Sequence, residues 1–303
     1  MYIQPVPKQV IFTEWMSLKL FGQLAKIFLC VMVLSGCRPP LWMFPRPDLN
    51  NIPPRTDELS SGTKFIKNAP AGGRDREQAI YNEISRGNIP DFLRSMKRVK
   101  VEWANPSGIK HECVFKVLPD YVAIGSDSDF VRIPMTSDTA QRIADLTDTL
   151  LPTVKMVYAI YMDARVKLEP QPLPESPQMG SNEYYLDHNG MIEHQRLGVG
   201  AKLGSLIAGH KKDLVITNRL NDNLDHLAIY GWHRMEEGKP VPIQRLSTAH
   251  LKDYVDYSHG VRLVSKNVLI DGKVMSIVNL LRDPELSGIL SDEGSIKDIQ
   301  VIR

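Results

Sequence analysis

Five of the eight histidines in the chain fall within residues 209–264: His210, His226, His233, His250 and His259. Asp213, Asp253, Asp256, Ser258 and Arg262 are interleaved with them, between apolar runs of strand type. These are the groups that general acid/base catalysis needs. A histidine near its neutral pKa moves protons, a carboxylate orients it, and an arginine holds a substrate carboxylate or developing negative charge. His210, His233, Asp256 and His259 are the first candidates, with His250 next, Asp213 as orienting carboxylate and Arg262 as anion holder. Three neutral imidazoles, His210, His233 and His259, beside a carboxylate also suit zinc, which would activate water.

Three sub-motifs place these groups. GHKKD, residues 209–213, sits where a helix is expected to end and a strand to begin, a junction whose side chains rigid neighbours hold at a sheet edge. Its structural alternative is a helix cap, in which His210 and the two lysines complement the dipole. YGWH, residues 230–233, combines a glycine that lets a ligand approach the backbone with an aromatic face; a solvated hairpin histidine is the alternative. Residues 247–262 are the densest. On a strand over 254–264 the side chains alternate, so Asp256, Ser258, Gly260 and Arg262 share one face and Tyr257, His259 and Val261 the other. That arrangement argues against a Ser258–His259 dyad and leaves Asp256 or Ser258 to work with a histidine from another segment.

The elements that would carry these groups follow from periodicity. DREQAIYNEISRG, residues 75–87, has helical spacing with Gly87 as its stop, and a second short helix follows Pro90. Residues 99–103, 112–118, 121–127 and 130–135 are short β-type runs separated by turn residues, which predicts an antiparallel meander. Helices are expected from Ser137, a plausible N-cap, then from residue 154 after Pro152, and over 182–208. Strands are expected at 213–218, 226–234, 254–265 and 266–271, the last turning at Asp271-Gly272, a hairpin dipeptide. A helix with a break at Pro284 closes the chain. Three prolines in residues 171–177 mark the best internal boundary, either between domains or as a loop crossing between layers. The fold class is therefore α+β, with antiparallel sheets and flanking helices.

Residues 258–263, SHGVRL, resemble the SHGC-x-R-L region of L,D-transpeptidases, exported enzymes that cross-link peptidoglycan through a cysteine thiolate. Val261 stands where the nucleophile belongs, so the likeness does not carry that activity. His250, Asp256 and Trp232-His233 are similar in type to the zinc ligands of D-alanyl-D-alanine metallopeptidases, but their order differs. HExxH, a dinucleotide GxGxxG and the Gly-x-Ser-x-Gly elbow are absent. Asp127-Ser128-Asp129 lacks the glycine and terminal glutamate of a calcium loop.

The compartment is read from the amino terminus. Lys19 and Lys26 precede an apolar run, residues 27–34, too short to span a bilayer, as in a secretory signal. The run ends in Leu34-Ser35-Gly36-Cys37, which resembles the bacterial lipobox; the resemblance implies lipidation of Cys37 and cleavage before it. It covers residues 16–37, and Met16 is a better start than Met1. In such lipoproteins an aspartate after the cysteine retains the protein at the inner membrane; Arg38 points to the outer membrane of a two-membrane cell. Residues 38–74 are rich in Pro, Gly, Asn and Ser and are expected to form an extended tether, followed by parts 75–170 and 171–303.

The formal charge of +2 is carried by residues 1–37, so the remainder is near neutral and gives no electrostatic reason to bind nucleic acid. Cys113 is the one thiol beyond Cys30 and Cys37, so an internal disulfide is excluded and a buried structural cysteine expected. These readings converge on a membrane-anchored exported lipoprotein that hydrolyses a cell-envelope or extracellular polymer, peptidoglycan or polysaccharide, by acid/base or zinc chemistry. The alternative is a non-catalytic envelope lipoprotein that binds glycan or a protein partner.

Overall fold

The apolar runs become strands, and the turn residues decide which of them meet. In the computed structural model, which describes residue 49 and residues 51–300, the strands in chain order are β1 (Lys97–Ala104), β2 (Lys110–Val117), β3 (Ala123–Ser126), β4 (Asp129–Arg132), β5 (Thr149–Leu150), β6 (Val166–Lys167), β7 (Ile207–Ala208), β8 (Lys212–Leu214), β9 (Ile229–Glu236), β10 (Lys239–Ser247), β11 (His259–Gly260), β12 (Val264–Ile270) and β13 (Lys273–Ser276). The helices are α1 (Gly62–Asn68), α2 (Gly73–Ser85), α3 (Ser137–Leu146), α4 (Val154–Asp163), α5 (Asn182–Gly198) and α6 (Ile277–Arg282). The fold is α+β, as the patterning predicts.

The expected four-run meander is two separate hairpins. β1 pairs antiparallel with β2, and β3 with β4 in a sheet of their own. The free edge of β2 takes β12 instead, in the order β1-β2-β12-β13, with β5 also on β12. On β2 the buried Cys113, Phe115 and Val117 alternate with half-exposed neighbours, the pattern of a strand with one covered face. β12 and β13 turn at Asp271 and Gly272, both with positive φ (48° and 81°), the two-residue hairpin geometry this dipeptide favours. The second sheet runs β10-β9-β8-β11, and its β11–β8 pair is parallel.

The described residues, 49 and 51–300, belong to one compact unit. The proline-rich segment at 171–177 is therefore a crossing loop within that unit: β12 from one side of it completes the sheet begun by β1 and β2 on the other. Part of the segment expected as a tether packs on the body. Leu49, Ile52, Phe65 and Ile66 are buried in the main core, and Ser61 caps α1 by accepting from the Lys64 N–H. The glycine at 62 serves packing rather than flexibility, since a Cβ there would lie 2.5 Å from Phe130 Cα. The proposed signal, Cys37 and residues 38–48 lie outside the described residues.

Other boundaries shift locally. Thr136, not Ser137, caps α3. The helix expected over 182–208 stops at Gly198, followed by Gly200 with φ 66°. Within 254–264 only His259–Gly260 and Val264 are strand. Among the described residues no helix is long and apolar enough to cross a membrane.

Candidate functional site

The loop after β2 places Asp120 at the centre of the first polar group. Asp120 is 2% exposed. Its Oδ2 accepts from Arg132 Nε at 2.9 Å and Nη2 at 2.7 Å, and its Oδ1 accepts from the Tyr121 N–H at 2.7 Å. His210 Nε2 lies 3.0 Å from the same Oδ1. Arg132 reaches onward to Asn189 and Glu193 of α5, which ties that helix to β4. Burial lowers the His210 imidazole to about 4 despite the pull of Asp120. His210 is thus neutral at pH 7, and Arg132 is the charge that offsets the burial of Asp120 and holds its carboxyl well below the usual range.

The second group surrounds Gly260. A Cβ at that position would lie 2.5 Å from Tyr121 Cδ1, so the glycine admits the tyrosine ring against β11. Tyr121 then donates its hydroxyl to Asp213 Oδ2 at 2.9 Å. Arg262 stacks 4.2 Å from the Tyr121 ring centroid and donates to the Leu118 and Ile207 carbonyls at 3.0 and 2.9 Å. Its Nε stands 3.9 Å from Asp213 Oδ1, an oxygen with no hydrogen-bond partner. Burial pushes the Asp213 carboxyl up to about 7, against Arg262 and the Tyr121 hydroxyl. Asp213, Tyr161, His233 and Arg262 line a void of about 10 Å³, room for about one water. His233 stacks on Tyr161 at 4.8 Å, and burial lowers its imidazole to about 4.

The third group forms where the expected strand becomes a turn. Asp256 Oδ1 accepts from the Ser258 N–H at 2.7 Å and its hydroxyl at 2.5 Å; Oδ2 accepts from the Tyr254 hydroxyl at 2.9 Å. The turn brings His259 back toward Asp256, with Nε2 3.9 Å from Oδ2. His259 is fully buried, and neither ring nitrogen has a hydrogen-bond partner. Burial lowers the imidazole to about 4, against the attraction of Asp256. Burial raises the Asp256 carboxyl, but His259 and the Ser258 donors outweigh it and hold the acid below its ordinary value. His250 stacks on Tyr254 at 4.1 Å, at the half-buried rim. Lys212, in register with His259, brings its ammonium 4.9 Å from the Trp232 ring centroid.

A fourth group joins α5 to the sheet. Lys211 Nζ donates to the Tyr257 carbonyl at 2.6 Å and stands 3.4 Å from His188 Nδ1. Burial lowers the Lys211 amine to about 7 and His188 well below its ordinary value. Trp232 follows with φ 55°, an uncommon backbone state for a large side chain, and its indole N–H has no partner. The crossing loop lies over this group: the Tyr257 hydroxyl accepts from the Leu173 N–H at 2.7 Å and donates to the Leu173 carbonyl at 3.2 Å, and the Tyr257 N–H donates to the Met179 carbonyl.

The expected single site is thus divided among neighbouring networks. The zinc set His210, His233 and His259 is corrected: each ring keeps different company, with Asp120, Tyr161 and Asp256 respectively, and among the described residues no group of three or more His, Cys, Asp or Glu could hold a metal ion. Arg262 is committed to carbonyls rather than free for an anion, and Asp213 orients no histidine but receives Tyr121. Asp256 and His259, assigned to opposite faces, are brought together, with His250 at their rim through Tyr254. Asp253 is exposed, and His226 pairs with its neighbour Asp225. Sequence reasoning missed Asp120, Tyr121, Arg132, His188 and Tyr254. Asp120-Tyr121 follows a strand-like run as GHKKD precedes one, but nothing local signals that the two junctions meet. No protein-family model, no curated protein and no solved structure matches the chain.

Proposed function

We propose that the protein is an exported, lipid-anchored hydrolase of a cell-envelope or extracellular polymer, with Asp256 and His259 as its acid/base pair. The observation that carries this reading is the unpartnered His259. Leaving a buried polar group unsatisfied costs about 1–3 kcal/mol, so such a group calls for a purpose beyond packing. A neutral imidazole is a proton acceptor. With water admitted beside it, His259 takes the proton of the water that attacks the polymer linkage, Asp256, held in place by Ser258 and Tyr254, stabilises the resulting imidazolium, and His259 returns that proton to the leaving atom as the linkage breaks. Lys212, opposite His259 in the strand register, is the cation assigned to receive developing negative charge. The lipobox resemblance supports placement at the cell envelope.

The test is fragment release from isolated cell walls and from soluble polysaccharides by the purified full chain. His259→Gln is expected to lower release by about 100-fold or more with an unchanged unfolding midpoint. No release by the wild type, or equal release by the variant, would reject the reading. A second reading, a non-catalytic binding protein, is favoured by the burial of His210, Lys211, His259 and Arg262, none more than 1% exposed. It requires retention on cell walls with no fragment release.

A further inference from the structure

A wide opening lies on the outer face of α5, beside the crossing loop that covers the fourth group. It is an open concavity of about 570 Å³ lined by Gln171, Asp187, Gly190, Met191, His194 and Gln195. It is shallow and open to solvent, so a ligand there would lie along the surface rather than be enclosed. Gly190 is the unexplained feature. It sits in the interior of a 17-residue helix, where glycine is about 1 kcal/mol worse than alanine. No turn or close approach accounts for it: a Cβ at Gly190 would meet nothing within 4 Å. A residue that would strengthen the helix fits there without cost, and the bare backbone at Gly190 is open to close approach from solvent.

We propose that this concavity binds an uncharged oligosaccharide, with one sugar ring lying against the backbone at Gly190. The lining sets the class. No lysine or arginine contributes, so a phosphate or other anion finds no countercharge. Two amides, a carboxylate and an imidazole offer both donors and acceptors, as ring hydroxyls require, and the Met191 side chain offers an apolar surface to a sugar C–H face. Gln195 is already positioned: its Oε1 accepts from the Glu169 N–H and its Nε2 donates to the Glu169 carbonyl, both at 3.0 Å. Each amide atom retains one further hydrogen-bonding site. Binding here stands apart from the acid/base reading and does not require that any polymer be cut.

The experiment is calorimetric titration of the full chain with two uncharged probes, an N-acetylglucosamine tetramer and a glucose tetramer, and with a sulfated tetramer as anionic control. Saturable binding of at least one neutral tetramer is expected, weakened about tenfold or more by Gly190→Leu and by Asp187→Ala, both exposed positions. Gly190→Ala is expected to raise the melting midpoint by about 2 °C. The proposal is overturned if neither neutral tetramer binds, if Gly190→Leu binds as wild type does, or if the sulfated tetramer binds more tightly.

Discussion

Asp256 Oδ2 and His259 Nε2 stand 3.9 Å apart, both inside the protein, with the carboxylate hydrogen-bonded by Ser258 and Tyr254 and neither imidazole nitrogen hydrogen-bonded at all. His210, by contrast, is in hydrogen-bond contact with Asp120 at 3.0 Å. Two equally buried histidines therefore differ in what their removal should do. His259→Leu takes away two unsatisfied nitrogens and should leave stability unchanged or raise it by on the order of 1 kcal/mol. His210→Leu strips a partner from a buried carboxylate and should lower it by about 1–3 kcal/mol. Urea unfolding of the two variants decides the matter, and a larger loss for His259→Leu would contradict the assignment.

Gly260→Ala is expected to destabilise the protein by about 1–3 kcal/mol, because the added methyl collides with the Tyr121 ring 2.5 Å away and the ring is fixed through its hydroxyl to Asp213. Combining it with Tyr121→Ala should recover part of that loss, a coupling that a double-mutant cycle measures. Additive losses would show that the ring does not fill this space.

Stability should fall on acidification. His210, His233 and His259 are each held at about 4, below the ordinary imidazole value near 6.5. Between those values the unfolded chain binds protons that the folded chain refuses, so stability is full above about pH 6.5 and drains away toward pH 4. Asp213, raised to about 7, opposes this: it is protonated in the folded chain and ionised in the unfolded one across the same window. His188, which burial holds well below the ordinary value, acts in the same direction, and four imidazoles against one carboxyl leave the net slope acid-destabilising. Urea midpoints at pH 7 and 4.5 measure it, and His233→Phe should flatten the difference; a midpoint that rises on acidification runs against the prediction.

Tyr257→Phe removes both hydrogen bonds to Leu173 while keeping the ring. Global stability should fall by only about 1 kcal/mol, but residues 171–177 should become markedly more sensitive to limited proteolysis. Cleavage elsewhere first, or no change in rate, would mean that this latch does not hold the loop.

Local sequence already determined much of the framework. The α3 and α4 segments, the β1–β2 hairpin and the Asp271-Gly272 turn are set by apolar spacing, capping residues and turn chemistry among near neighbours, and the α+β class follows from them. The chemistry-bearing stretch was also visible by composition. What tertiary structure alone decided is which distant pieces meet: β12 on β2, and Asp120 with His210 across ninety residues of chain. It also decided burial, which turned Arg262 into a carbonyl clamp and put Leu49, Ile52, Phe65 and Ile66 of the expected tether in the core. The physical reason is that a run of residues encodes its own periodicity, whereas partners, and the water each polar group gives up, depend on surfaces contributed by the rest of the molecule.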